Sequence, residues 1–312
     1  MEAMNVLVTG GAGFIGSHIV EKLIELNCNK IRILDNLSTG NIENINKNHP
    51  KIEFMYGCIS NLETCRKAVK DMTHICHQAA LGSVPRSIHD PLSTHVSNVN
   101  GFLNILLASK EEGIKRIVYA TSSSVYGTNN NQKKQENITG EVLSPYACSK
   151  KINELYANVF VKCYDMELIG LRYFNVFGPR QNPNGPYAAV IPKFIHSIKN
   201  HKAPIIFGDG TYSRDFTYVD NAVHANILAL CVKNSVAFGN VYNVGCGESI
   251  TIKEVYYKIN YKLWCTIEPI YKETRKGDVP HSLADISNIK KDLFYKPLIY
   301  FEEGLNKLLY EK

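Results

Sequence analysis

The chain has 312 residues, is 45% hydrophobic and 21% charged, and carries a formal net charge of +6. That is the composition of a soluble globular protein, long enough for one large domain or two modest ones sharing a cleft. Its lysines are scattered, with no basic run beyond pairs such as Lys133-Lys134 and Lys290-Lys291, which argues against a nucleic-acid partner, and no apolar stretch approaches the length of a membrane span. Nine cysteines form no C-x-x-C pair and no leader-like segment precedes them, so buried free thiols in a reducing cytoplasm are expected.

The run Asn5–Thr9 is short, apolar and β-rich; it ends in G-G-A-G-F-I-G, and Ile15, Ile19, Leu23 and Leu26 then recur at helical spacing. The segment reads as strand, glycine turn and helix. Gly10, Gly13 and Gly16 would serve the tight turn, the approach of backbone to a pyrophosphate and the packing of helix on strand, while the helix N-terminus offers N–H groups to phosphate. A second strand over 31–34 ends at Asp35, nineteen residues after Gly16, where a carboxylate can accept hydrogen bonds from an adenosine ribose and repel a 2′-phosphate. The expected dinucleotide is therefore NAD and not NADP.

Strand and helix candidates alternate from there: a strand at Ile52–Tyr56, a helix near 62–70, a strand at His74–His77, a long helix near 93–112 and a strand over 116–121. Alternation of this kind predicts a parallel sheet with helices on both faces, whose ligand lies beyond the carboxyl ends of the strands. The run Thr121-Ser122-Ser123-Ser124 stands at such an end. Residues 132–143 are polar and read as a surface loop. After Pro145 a helix begins with Tyr146 and Lys150 four residues apart, on one face and about one turn from each other. A lysine ammonium beside a phenol favours the phenolate, so the pair could move protons. Ile152, Leu155, Val159 and Cys163 form an apolar stripe on that helix and are expected in the core. A strand over 166–172 follows, then prolines and glycines break the chain into short elements, with Val241–Val244 expected to return to the main sheet. His77 and His281 lack ligand spacing and read as structural; no metal is expected.

Taken together, T-G-G-A-G-F-I-G, Asp35-Asn36, S-S-S-V-Y-G at 122–127 and Y-A-C-S-K at 146–150 resemble the extended short-chain dehydrogenase/reductase family from end to end. Within it, L-R-Y-F-N-V-F-G-P-R (171–180), A-A-V-I-P-K-F (188–194), G-D-G-T-Y-S-R-D-F (208–216) and R-K-G-D-V-P-H-S-L-A-D (275–285) are similar to nucleotide-sugar 4-epimerases, especially bacterial enzymes that act on UDP-N-acetylhexosamines and their uronic acids and supply lipopolysaccharide and capsule precursors. The resemblance implies an α/β fold: a Rossmann-type doubly wound parallel sheet over residues 1–175, and a smaller C-terminal α/β substrate-binding region over 176–312, from which 219–244 returns to the first domain. It also implies a cytoplasmic homodimer.

By the same resemblance Tyr146 is the base at the sugar 4′-hydroxyl, Ser122 shares a hydrogen bond with that oxygen (Ser123 being second choice), and Lys150 holds the nicotinamide ribose and keeps the Tyr146 pKa low, helped by the positive nicotinamide ring. NAD would be held by Gly10, Gly13, Phe14, Ile15, Gly16, Asp35, Asn36, Ser38, Thr39, Gly40, Cys58, Ile59, Gln78, Ala79, Ala80, Asn98, Thr121, Tyr146, Lys150 and Tyr173. The UDP-sugar would meet Gly82, Ser83, Ser122, Ser123, Asn175, Ala189, Val190, Lys193, Arg214, Arg275, Asp278 and Ser282, with the two arginines on diphosphate oxygens, a task suited to guanidinium geometry. Ser282 stands where galactose-specific relatives carry a bulky tyrosine beside the sugar C2 substituent, which leaves room for an N-acetyl group; Gly82-Ser83 points the same way. UDP-GlcNAc/UDP-GalNAc interconversion is thus favoured, with the 6-carboxylated pair and UDP-Glc/UDP-Gal as alternatives. At Cys58-Ile59 the family usually has an aspartate before the apolar residue, and a thiol is a poor acceptor for the adenine amino group, so NAD should be held less tightly than in relatives. A 4,6-dehydratase would need acidic residues after Ser122, where this chain has Ser123-Ser124. A decarboxylating or reductive relative would leave a lasting change at 340 nm, and a dinucleotide-sensing binding protein would not need Tyr146 and Lys150.

Overall fold

The computed structural model describes residues 3–184, 188–274 and 279–310. Seven parallel strands form the central sheet: β1 (Asn5–Thr9), β2 (Lys30–Asp35), β3 (Ile52–Tyr56), β4 (His74–His77), β5 (Arg116–Ser122), β6 (Glu167–Tyr173) and β7 (Val241–Val244). Their spatial order is β7-β6-β5-β4-β1-β2-β3. The chain therefore winds outward from β1 in one direction through β2 and β3, then in the other through β4 to β7, and the crevice between the two directions opens beyond the ends of β1 and β4. Val241–Val244 pairs with Gly170–Tyr173 in register, as expected for a return to this sheet.

Strand alternation divides the core into two layers. Val6, Val8, Ile31 and Ile33 pack on one face with Ile19 and Leu23 of α1 (Phe14–Glu25) and Ala222 and Val223 of a later helix, while Leu7, Leu34, Ile75 and Ile117 pack on the other with Cys65 and Val69 of α2 (Leu62–Val69) and Phe102, Ile105 and Leu106 of α3 (Gly101–Glu112). The long helix expected near 93–112 is continuous from Pro91 but contains a π-helical turn at Val96–Asn100 before α3. Such a turn inserts one residue into the helix and rotates everything before it.

The helix α4 (Pro145–Tyr164) begins where the sequence dictates: Ser144 caps it by accepting from the Ala147 N–H at 3.1 Å, and Pro145 fills the first helical position. Its apolar stripe does not face the core. Leu155 is 59% and Val159 50% exposed, Cys163 is exposed and Ile152 only partly covered. The buried side instead carries Ala147, Ser149, Lys150, Asn153, Glu154, Ala157 and Phe160; Ser149, Lys150 and Glu154 find partners there, whereas the Asn153 side-chain oxygen has none among the described residues. The loop 132–143 also departs from a plain surface loop. Lys133–Lys134 pairs in parallel with Leu283–Ala284, and Lys134 is buried with its ammonium donating to the carbonyls of Asn129 and Asn131. All nine cysteines are free, but Cys148, Cys163 and Cys231 are exposed, so burial accounts for only some of them.

Beyond β6 the chain builds α5 (Val190–Lys199), α6 (Val219–Cys231), which packs on α1 against the main sheet, and α7 (Ile252–Lys262). A small sheet joins Ile250–Thr251, Ser213–Arg214, His281–Ala284 and Lys133–Lys134. Among the described residues no helix is long and apolar enough to cross a membrane, and no group of three His, Cys, Asp or Glu could hold a metal ion.

Candidate active site

A cleft of about 290 Å³ opens at the carboxyl ends of β1, β2, β4 and β5. Its floor is the glycine turn. Gly10 has φ +69°, and a Cβ there would lie 2.7 Å from the Ala79 nitrogen; a Cβ on Gly16 would lie 2.2 Å from the Gly10 carbonyl oxygen. Neither position tolerates a side chain without backbone movement, and α1 starts at Phe14 with no side chain capping its first N–H groups, which leaves those donors to the cleft. This is a cradle for a pyrophosphate, and the residues fit a dinucleotide.

Gly10, Gly13, Phe14, Ile15, Gly16, Asp35, Asn36, Ser38, Thr39, Cys58, Ile59, Gln78, Ala79, Ala80, Thr121, Tyr146, Lys150 and Tyr173 all line the cleft. Gly40 and Asn98 do not. Gly40 packs against Ala12, and Asn98 is buried, accepting from the Leu81 N–H at 2.8 Å and donating to the Leu81 carbonyl and the Ser149 hydroxyl. It braces the loop that carries Leu81 into the cleft. Leu34, Gly57, Leu81, Ser97 and Ala120 also line it; these are the apolar and backbone walls between motif positions, which no residue-type signal marks. Asp35 accepts from the Ala12 N–H at 2.9 Å and the Leu37 N–H at 2.8 Å. Each carboxylate oxygen has a second lone pair, so the fixed carboxylate can still accept from a ribose. Cys58 faces the cleft with its sulfur 3.5 Å from Asn36 Nδ2 and 3.1 Å from Ser60 Oγ. We expect Cys58→Asp to purify with a higher NAD occupancy than the wild type, read from absorbance of the denatured protein; equal occupancy would remove this role for position 58.

The reacting end of the cleft is made by α4 and β5. Ser122 ends β5, and its hydroxyl oxygen accepts from the Ser124 N–H at 3.2 Å and from the Ser124 hydroxyl at 3.0 Å. Its own proton is thereby left to bond the Tyr146 phenol, and that bond lowers the phenol pKa. Ser124 is thus the group that turns Ser122, a role the S-S-S run alone could not assign. The expected effect of Lys150 on Tyr146 is not what the structure shows. Burial raises the phenol above its ordinary range and only the Ser122 bond opposes it. The Lys150 ammonium lies 6.0 Å from the phenol ring centre and donates to the Ala120 carbonyl at 2.9 Å. Lys150 is 2% exposed, and burial brings its own pKa down to about 8 while the Glu154 carboxylate pushes it back up. The lysine is the one charge of the pair, and its ammonium is bonded to a backbone carbonyl and not to the neutral phenol.

A second cleft, of about 500 Å³, collects Asn175, Ala189, Val190, Lys193 and Arg214. It also holds His196, Phe207 and Tyr212, two of them aromatic platforms that sequence reasoning passed over although they flank its motifs. Gly82 lines the first cleft, and Ser83 caps the helix Val84–His89 through its hydroxyl. Ser123 opens the turn after β5. Ser282 lines neither cleft; it is nearly buried and pairs with Arg214 across the small sheet, so both side chains stand on one face of it. Its neighbours His281 and Ser213 illustrate that geometry by bonding at 2.9 Å. Arg275 and Asp278 lie outside the described residues. Asp215, unremarked in the sequence, is wholly buried beside Arg214 and accepts from the Cys246, Gly247 and Ala284 N–H groups. Burial pushes its carboxyl up to about 6, against those three bonds.

Comparison with known proteins agrees with this geometry. A structure of UDP-N-acetylglucosamine 4-epimerase from Methanobrevibacter ruminantium M1 in complex with UDP-N-acetylmuramic acid is 43% identical, with a TM-score of 0.93 over 99% of this chain and 97% of that one. The Thermotoga maritima UDP-glucose 4-epimerase with UDP-glucose is 35% identical, with a TM-score of 0.92 over 98% and 97%. A Methanocaldococcus jannaschii protein provisionally named a UDP-glucose 4-epimerase is 41% identical over 97% of both chains. Residues 6–245 match the NAD dependent epimerase/dehydratase family, and the chain belongs to it.

Proposed function

We propose that this NAD-dependent UDP-sugar 4-epimerase interconverts UDP-N-acetylglucosamine and UDP-N-acetylgalactosamine, and that its product supplies surface polysaccharides such as lipopolysaccharide O-antigen. The observation that carries the reaction is the convergence of Tyr146 and the buried Lys150 on the dinucleotide cleft, with Ser122 at the adjoining end of β5 lowering the phenol pKa. NAD, when bound, accepts hydride from the sugar C4 and returns it to the opposite face, so no net oxidation results. Tyr146 takes the proton of the 4-hydroxyl and gives it back at the end, Ser122 donates to the same oxygen, and Lys150, which lines the cleft, would hold the cofactor ribose. Arg214, Lys193 and Arg275 hold the diphosphate while the 4-keto sugar turns over, and Asn175, Ala189 and Val190 wall its cleft.

The N-acetyl preference is supported by the small Ser282 on the Arg214 face of its sheet and by the N-acetylated sugar nucleotide bound to the Methanobrevibacter relative. Relatives named for UDP-glucose and UDP-glucuronate set the competing arms of the test. Purified protein is incubated with UDP-GlcNAc, UDP-GalNAc, UDP-glucose and UDP-GlcNAcA, and the 4-epimers are resolved. No epimer from any of them overturns the reaction; turnover of UDP-glucose alone overturns the N-acetyl preference. In Ser282→Tyr, kcat/KM for UDP-GlcNAc should fall by roughly 10–200-fold relative to that for UDP-glucose, the scale on which pocket sterics discriminate; an unchanged ratio places the selection elsewhere. We further propose that the exposed Leu155 and Val159 of α4 meet a second copy, with α3 completing a four-helix contact. Sedimentation should then give twice the 35.1 kDa chain mass, and a monomer at micromolar concentration refutes it.

A further inference from the structure

The buried side of α4 carries an ion pair that the proposed reaction does not use. Glu154, one turn beyond Lys150, accepts from Arg172 Nε and Nη2, each at 2.8 Å, and from the Thr121 hydroxyl at 2.9 Å. Arg172 lies on β6 directly opposite Thr121; it also donates to the Glu136 carbonyl at 3.0 Å and stacks 4.9 Å from the Tyr126 ring centre. Three consecutive residues of β5 are therefore engaged by α4: Ala120 accepts from Lys150, Thr121 donates to Glu154 and Ser122 bonds Tyr146.

We propose that Glu154 is a positioning residue of this reaction: it fastens the 120–122 end of β5 to the Tyr146/Lys150 face of α4 and keeps Lys150 in its charged form. The proposal rests on the roles given above to Tyr146 and Lys150. A buried carboxylate with two guanidinium bonds is rigid, so its distance to Lys150 is fixed. The groups that act on Lys150 from the surrounding elements are few. On α4 they are Tyr146, Glu154 and, through Glu154, the neighbouring Lys151, whose ammonium lies 3.7 Å from the Glu154 carboxylate; on β5, the Ala120 carbonyl; on β4, His77, whose imidazole burial drives down to about 3 and so keeps neutral; and on β6, Arg172, which acts through Glu154. Glu154 is the anion among them, and its field raises the Lys150 pKa against the desolvation that lowers it. Replacing it by a neutral group deletes an anion and unmasks the Arg172 cation, and both changes favour the neutral amine.

The test compares shape with charge. Glu154→Gln keeps the shape and loses the charge; Glu154→Asp keeps the charge and shortens the reach. Lys150 is charged below its pKa and neutral above it, so the alkaline limb of the kcat profile should move to lower pH in Glu154→Gln by roughly one unit, and Glu154→Asp should return most of the way to wild type. A purely structural role predicts the reverse ranking, with the isosteric Gln mild and Asp worse, and limbs that coincide; that outcome overturns the proposal. Should Glu154→Gln not fold because Arg172 is left unpaired, the double variant with Arg172→Met removes the orphaned guanidinium and is read the same way. If Tyr146→Phe turns over normally, the reaction mechanism itself has failed; if it is dead and the limb of Glu154→Gln does not move, only this inference has.

Discussion

Tyr146→Phe will leave the fold intact and remove nearly all turnover, with kcat for UDP-sugar epimerisation lowered by roughly 10²–10⁴-fold, the usual worth of a positioned acid–base group. The phenyl ring fills the same space, and the hydrogen bond it gives up is that of Ser122, whose oxygen keeps both bonds from Ser124. Thermal unfolding should therefore change little while chemistry stops. Burial raises the phenol pKa further above its ordinary range, with Ser122 opposing it, so the base needs help from its surroundings to lose its proton. Activity within tenfold of wild type in Tyr146→Phe would overturn the mechanism.

Arg172→Met will be the most destabilising single substitution near the site. It removes two donors from Glu154 and one from the Glu136 carbonyl and leaves a carboxylate that is 6% exposed without its guanidinium. Breaking a buried pair from one side costs about 3–5 kcal/mol, here toward the lower end because Glu154 keeps the Thr121 hydroxyl at 2.9 Å and the Lys151 ammonium at 3.7 Å. Equilibrium denaturation with urea should show a lowered midpoint of that size, and a change below about 1 kcal/mol would mean that solvent reaches Glu154 after all.

Much of this was legible in the sequence because its signals are local. The runs Asn5–Thr9, Ile52–Tyr56 and His74–His77 match the strands end for end; the first and third are largely buried, while Ile52–Tyr56 is a half-covered edge strand whose β-rich composition sufficed. The glycine turn, the Asp35 position and the Tyr146/Lys150 spacing were equally plain. What failed were inferences about which side of a helix or loop faces the interior, although the return of Val241–Val244 to the sheet was read correctly. Leu155 and Val159 have the spacing of a core stripe, yet the core side of α4 is taken by Lys150, Asn153 and Glu154. The burial of Glu154 depends on Arg172 and Thr121, and that of Lys150 on the Ala120 carbonyl, all arriving from β5 and β6. Lys134 looked like a solvated loop cation for the same reason: its carbonyl partners are made by the folding of its own loop. Even the Lys150 effect on Tyr146 was right in spacing and wrong in partner, because a helix turn fixes which side chains are neighbours but not which acceptor a flexible ammonium selects.

The place of β7 has a consequence for how the chain is made. β6 and β7 are adjacent in the sheet, but all of 174–240 separates them in sequence, so the outer edge of β6 stays unpaired until residue 244 has left the ribosome. For that interval a strand carrying Leu168, Ile169 and Leu171 presents open N–H and C=O groups, an invitation to pair with another nascent chain. Growth temperature and chaperone supply should therefore govern the yield of soluble enzyme more strongly than they govern the stability of enzyme already folded.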